Sequence, residues 1–222
     1  MNKRNLYMPI VIVIEGLIGA GKSSLIEECL QPQLNKKGYT VTIIKEPVDK
    51  WKEILPKFYE DPGRWAYHFQ TKAFHDRVKE CIDMWEKHSK TTDIFICERS
   101  VMSDTIFMET LYEQKHITDM EWNHYIEWWN LWERIVPFKP DLFVYLDPSI
   151  EEVMSRVKNR NRKGEEGIGL DYQLLLKSKH DKMFLEENNN IKCKILHFPI
   201  NSDFKNDEQV KIELSDKIEK MI

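Results

Sequence analysis

Ile10-Val11-Ile12-Val13-Ile14-Glu15-Gly16-Leu17-Ile18-Gly19-Ala20-Gly21-Lys22-Ser23 decides the fold. The β-branched run Ile10–Ile14 is apolar at successive positions, so it reads as a strand covered on both faces, the condition of a parallel sheet. Gly16-x-x-x-x-Gly21-Lys22-Ser23 follows that strand and opens a helix, which is the context a P-loop requires. Glycines let backbone N–H groups turn inward around phosphate oxygens. The helix N-terminus adds the positive end of its dipole. Lys22 is placed to reach the β- and γ-phosphates, and the Ser23 hydroxyl to ligate Mg²⁺. Gly16, Ile18, Gly19, Ala20, Gly21, Lys22, Ser23 and Ser24 are therefore candidate triphosphate contacts. The competing reading, an ordinary glycine-rich strand–helix turn, does not account for the Lys-Ser pair. Neither reading says what receives the phosphate.

Outward from this segment, strands and helices alternate. A helix is expected over 22–37, ending at Gly38, and a strand over 40–45, ending at Glu46-Pro47. A mostly helical stretch from Val48 to His88 carries a turn at Asp61-Pro62-Gly63. Strands follow at 93–97, 142–146 and 193–198. Helices are expected over 101–114, 119–136, 149–161, 171–187 and 207–221, with a polar glycine-containing loop over 162–169. This order predicts an α/β fold: a five-stranded parallel sheet flanked by helices on both faces, in a single domain over 1–222. In such folds ligands bind beyond the carboxyl ends of the strands.

Composition narrows the classes. The chain has 222 residues with 41% hydrophobic side chains, enough for a sizeable core. Charged residues make up 32%, yet the formal net charge is only −4, which argues against direct, sequence-independent nucleic-acid binding. Cys29, Cys81, Cys97 and Cys193 have no metal-ligand spacing and read as free thiols of a reducing compartment. No apolar run approaches the roughly 20 residues that span a bilayer, and residues 1–9 lack a signal-peptide core. A soluble, cytoplasmic protein is the expectation.

Each strand end carries chemistry. Glu46, across the sheet from the P-loop, could take a proton from an attacking hydroxyl, or lie on the surface as most glutamates do. Glu98 could coordinate Mg²⁺ and Arg99 could hold a phosphate or orient Glu46; equally, the two could form a surface ion pair. Arg156 and Arg160 share a helix face and lead with Arg162 into the polar loop. They read as an arginine-bearing lid over about 156–169 or as a solvated basic helix.

Several ordered segments together resemble one family, the deoxyribonucleoside kinases. They are Gly16–Ser24, Glu46-Pro47-Val48 with Trp51, Tyr59-Glu60-x-Pro62-x-Arg64-Trp65, and Phe69-Gln70-Thr71 with Arg77. Glu98-Arg99-Ser100-Val101-x-Ser103-Asp104, Leu111-Tyr112-Glu113, Arg156-x-x-x-Arg160-x-Arg162 with Glu165-Glu166, and Asn201-Ser202-Asp203-Phe204 complete the set. The resemblance implies a P-loop kinase fold that moves the ATP γ-phosphate, with Mg²⁺, to the 5′-hydroxyl of a deoxynucleoside in nucleotide salvage. It implies Glu46 as general base, Arg99 as its partner at the transferring phosphate, and Glu98 as a magnesium-side carboxylate. Arg156, Arg160 and Arg162 would be lid arginines, and Tyr59 with Glu166 the pair on the sugar 3′-hydroxyl. Gln70 would read the base, Val48, Trp51, Phe69 and Phe107 would wall it, and Asp203-Phe204 would hold the donor base. It also implies a homodimer, with Trp128, Trp129 and Trp132 in core or interface packing.

Arg77 and Asp104 bear on the choice of nucleoside. Family members with this pair accept deoxycytidine or purine deoxynucleosides, and the pair would fill the space a thymine methyl needs. Leu17 and Gly19 depart from the family, whose animal members usually show Asn and Ala there. A nucleoside monophosphate kinase, similar to a thymidylate kinase, shares the P-loop, sheet and lid, but a charged acceptor would favour a basic residue where Glu46 stands. A P-loop switch or assembly ATPase would leave the acceptor-side residues unexplained.

Overall fold

Strands β1 (Ile10–Gly16), β2 (Val41–Ile44), β3 (Ile94–Glu98), β4 (Leu142–Leu146) and β5 (Lys194–Phe198) form one parallel sheet in the order β2-β3-β1-β4-β5. The computed structural model describes residues 8–160, 162, 165, 167–186, 191–200 and 207–222. β1 is central. It pairs with β3 in the register Ile10↔Ile94 and with β4 in the register Ile12↔Leu142. Being paired on both edges and covered on both faces, its apolar residues from Val11 to Ile14 are at most 1% exposed. This is why the run shows no polar alternation. One consequence is unusual: Glu15, in the same strand, is also fully buried.

Helices cover both faces, as the alternating pattern predicted. The expected first helix begins at α1 (Lys22–Leu25), widens into a π-helical turn (Ile26–Leu30), and resumes as α2 (Gln31–Lys36). The wide turn ends two residues before Pro32, whose ring lacks an N–H and crowds the carbonyl four residues back, that of Glu28 within the turn. The stretch expected to be helical over Val48–His88 is divided. A 3₁₀ turn (Val48–Trp51) precedes α3 (Leu55–Glu60) and the long α4 (Pro62–His88). The break is narrower than expected, because Pro62 and Gly63 already belong to α4. Asp61 alone interrupts, as an N-cap whose carboxylate accepts from Arg64 N at 3.2 Å.

Helix α5 (Asp104–Glu113) starts three residues later than the pattern suggested, because Val101–Ser103 form the turn that carries β3 into it. A capping box between Thr118 and Glu121 opens α6 (Asp119–Ile135). The remaining helices are α7 (Ile150–Arg160), α8 (Leu170–Phe184) and α9 (Glu208–Met221). Two hydrophobic clusters result. One surrounds the sheet; the other joins Trp51, Leu55, Phe58, Phe69, Phe74, Met108 and Tyr125 across the 3₁₀ turn and α3 to α6. The site lies between them, at the carboxyl ends of β1, β2 and β3. No helix among the described residues is long and apolar enough to cross a membrane.

Candidate active site

The glycine-rich turn is held by close approaches that exclude side chains. Gly16 has φ +146°, and a Cβ there would lie 2.4 Å from the Leu146 carbonyl oxygen. Gly19 has φ +89°, and its Cβ would lie 2.7 Å from Val157 Cγ2. Position 19, a departure from the resemblance, is thus glycine because α7 packs directly on the loop. Arg156 donates to Ala20 O at 2.9 Å and Gln173 to Ile18 O at 2.7 Å, bracing the loop from α7 and α8. Lys22 Nζ donates to Leu17 O at 2.8 Å and Gly16 O at 3.3 Å. Burial, then the neighbouring Arg99, pulls its pKa down to about 7 against the pull of Glu98, Glu46 and Glu15. A buried amine so poised gains most from an incoming anion. Ser23 Oγ donates to Glu98 Oε1 at 2.7 Å, so a hydroxyl and a carboxylate meet where hard-oxygen ligands for Mg²⁺ would be needed.

Beside this turn lies a chain of buried charges. Arg77, from α4, places NH2 2.5 Å from Glu46 Oε1 and pairs through NH1 with Asp104. Arg99 Nε approaches the same Glu46 oxygen at 3.3 Å, and Arg99 NH1 faces Glu15 Oε2 at 3.8 Å. Burial would raise the Glu46 pKa, but Arg77, Arg99 and Lys22 outweigh it and hold the carboxyl at about 2. Asp104 goes the other way: burial raises it, against Arg77 and the Tyr125 hydroxyl, which donates at 2.7 Å. The Gln70 side chain also opposes the rise, although its buried amide nitrogen closes no hydrogen bond of ordinary geometry among the described residues.

Glu15 organises the turn after β3. Its Oε1 accepts from Ser100 N at 2.8 Å and from Ser103 Oγ at 2.5 Å. These bonds secure Arg99 in a left-handed backbone (φ 67°), a conformation that costs a non-glycine residue about 1–3 kcal/mol. Burial raises the Glu15 pKa, with Arg99 opposing.

A cavity of about 450 Å³ opens between these groups and the helical cluster. Lys22, Ser23 and Glu98 line one end, Val48, Trp51, Tyr59, Phe69, Gln70, Arg77 and Phe107 the other, and Glu46 and Arg99 lie where the acceptor end meets the phosphate turn. The apolar wall is rigid by packing. Phe58 stacks on Phe69 at 4.8 Å, Trp51 meets Phe69 edge-on at 5.8 Å, and Trp51 Nε1 donates to the buried Asp76 at 2.9 Å. Gln70 and Arg77 stand seven residues apart, two turns along one face of α4. Arg160, Arg162 and Glu165 close the rim: Glu165 is only 6% exposed and accepts from Arg160 at 2.6 Å and Arg162 at 3.3 Å.

Most residues selected from the sequence therefore converge on one cavity. Glu46 is not on the surface, and Arg99 pairs with Glu46 and Glu15 rather than with Glu98. Asp104 lies behind the wall and reaches the cavity through Arg77. Arg156 departs from its two partners: it braces the P-loop and Glu152 instead of facing the cavity. Glu166, Asp203 and Phe204 lie outside the described residues. Sequence reasoning passed over Glu15, Asp76, Tyr125 and Tyr172. Glu15 did carry a signal, as an acid inside an apolar central strand, a place acids occupy only when paired. Tyr125 had none among the aromatics of α6.

The comparisons with known proteins agree with this geometry. A family model described as deoxynucleoside kinase matches residues 12–222. The chain is 40% identical to a probable deoxycytidine kinase of fowlpox virus (strain NVSL), over 86% of this chain and 78% of that one. It is 33% identical to deoxycytidine kinase 2 of Gallus gallus, covering 95% and 89%. It is 28% identical to a mitochondrial deoxyguanosine kinase of Xenopus laevis, covering 94% and 88%.

Proposed function

The chain belongs to the deoxynucleoside kinase family, an ATP-dependent group of transferases, and on that premise we propose how this cavity performs the transfer. Glu46 is the general base. The 5′-hydroxyl proton passes to its carboxylate as the hydroxyl oxygen bonds to the γ-phosphorus and the bond to the β,γ-bridging oxygen breaks, leaving ADP. Lys22 and Arg99 offset charge on the transferring group, and Arg160 and Arg162 add to this from the rim, with Arg156 fixing the loop beneath. Tyr59 and a lid carboxylate hold the sugar 3′-hydroxyl. Glu166 is the carboxylate the resemblance implies; its neighbour Glu165 lines the same cavity as Tyr59 and supports a lid carboxylate there.

Gln70 reads the base edge, with Val48, Trp51, Phe69 and Phe107 around the ring and Asp203-Phe204 on the donor base. Ser23 and Glu98 fit Mg²⁺ as a two-ligand half-site that phosphate oxygens would complete. That ion supplies further charge neutralisation when bound. The Arg77–Asp104 pair beside Gln70 supports deoxycytidine or purine deoxynucleosides over thymidine, and the product fits a salvage role. A homodimer is supported by α6, where Met120, Trp128, Leu131 and Ile135 leave one apolar face 46–80% exposed; light scattering of the purified protein tests it.

The observation that carries the reading is a buried carboxylate, Glu46, standing between the P-loop lysine and an apolar pocket of nucleoside size. In a phosphate-transfer assay over the four deoxynucleosides, Glu46→Gln should lower kcat by ~10²–10⁴-fold, the usual weight of a general base. ATP affinity should hold. Undiminished turnover in Glu46→Gln defeats the reading.

A further inference from the structure

Arg77 is shared. One guanidinium binds Asp104 on the base side and Glu46 Oε1 on the reacting side, and Arg99 Nε reaches that same Oε1. Its third nitrogen, Nε, is buried with no hydrogen-bond partner among the described residues. The ring centroids of Trp51 and Phe107 lie 5.2 and 5.8 Å from the guanidinium carbon, so it sits on the wall where the base would dock. The carboxylate meant to accept a proton is thus clamped by two cations. A carboxylate so clamped is a poor base, since proton-accepting power falls with its pKa.

We infer that Arg77 couples base recognition to catalysis: a nucleobase that engages the Arg77–Asp104 pair draws the guanidinium off Glu46 and frees that carboxylate for the 5′-hydroxyl. The inference rests on Glu46 being the general base. It makes nucleoside choice a matter of kcat as well as of KM. A sugar that fills the pocket without offering Arg77 a hydrogen-bonding edge leaves Glu46 clamped, so the enzyme holds it but transfers phosphate slowly. Asp104 retains the arginine during this exchange. Tyr125, donating to the other Asp104 oxygen at 2.7 Å, keeps that carboxylate oriented.

The decisive comparison uses the wild-type protein and two acceptors: a natural deoxynucleoside, and a deoxyribose C-nucleoside carrying a plain phenyl ring. The phenyl acceptor keeps the 5′-hydroxyl and stacking surface but has no polar edge. At saturation its kcat should be at least about 10-fold lower, and Arg77→Gln, which unclamps Glu46 for either acceptor, should raise kcat on the phenyl acceptor and narrow its gap to the natural one. Equal kcat for the two acceptors in the wild type overturns the inference, as does an Arg77→Gln variant that lowers both alike.

A pH profile supplies a readout that a structural role would not move. Arg77 on α4, Arg99 after β3, Lys22 on α1, Asp104 on α5 and Tyr59 on α3 face Glu46 electrostatically. Removing a cation from this set raises the pKa of Glu46. The acid limb of kcat with the natural nucleoside should therefore lie at higher pH than with the phenyl acceptor, and coincident limbs overturn the inference. Arg77→Gln leaves Asp104 buried and unpaired, so poor folding is a risk; the wild-type comparison stands without it. Glu46→Gln serves as control: full activity on both acceptors there would defeat the general-base reading itself, a different failure.

Discussion

The two ends of the cavity are built by opposite means. The phosphate end comes from consecutive residues: a central strand, a glycine turn and a helix start, with backbone groups and φ angles doing the shaping. The acceptor end draws single side chains from the end of β2, the 3₁₀ turn, α3, α4, the turn after β3, and α5, and its charges are bound to one another. Backbone geometry tolerates little and announces itself in a motif. A network of side chains can be redistributed among elements, so it specifies a substrate without a compact signature.

Beyond the loss expected for Glu46→Gln, the largest effect should come from breaking the phosphate end. Lys22→Met should cut kcat by ~10²–10³-fold, the scale for losing one preorganised charge on the transferring group, whichever nucleoside is offered. Steady-state kinetics over the four deoxynucleosides check this, and a loss confined to one nucleoside would dissolve the contrast between the two ends. The acceptor end should respond by changing preference. Replacing Arg77 and Asp104 together by Met and Ala removes both charges and opens space for a methyl group. The ratio of kcat/KM for thymidine to that for deoxycytidine should rise about 10–200-fold, the usual range of a pocket-size change.

A smaller effect tests what supports that end. Tyr125→Phe leaves one oxygen of buried Asp104 unpartnered and should cost about 1–3 kcal/mol in urea unfolding, with the phosphate end untouched. The smallest sharpens the electrostatics of the P-loop. Burial and Arg99 hold the Lys22 pKa at about 7. A triphosphate raises that value, so ATP binding near ~pH 8 should take up a fraction of a proton, and near ~pH 6 almost none. Calorimetry in two buffers of different ionisation enthalpy measures the uptake, which Lys22→Met should abolish.

Much of this was legible beforehand. Strand alternation, P-loop and sheet class follow from periodicity and glycine spacing, and ordered segments mark Glu46, Arg99, Gln70 and Arg77. The misreadings have local causes. The π-helical turn before Pro32 leaves the apolar spacing of its helix intact, so periodicity does not reveal it. The turn expected at Pro62-Gly63 is helical because proline is suited to a first helical turn and Asp61 caps it. Arg156 reads like Arg160, yet only packing of α7 on the glycine turn shows that one braces the loop while the other borders the cavity.

By itself the sequence determined the fold class, the phosphate turn and the residue types available for acceptor chemistry. These rest on short-range rules: side-chain alternation, glycine dihedrals and helix starts act over a few residues. Only the tertiary structure decided which charges meet. It buried Glu15 behind Arg99, joined Arg77 to Glu46 as well as to Asp104, and set Tyr125 beneath the pair. Such pairings depend on how helices settle across a sheet, over separations of tens of residues. Burial then sets how strongly each charge acts on the next, because an interaction weak in water becomes large where water is excluded.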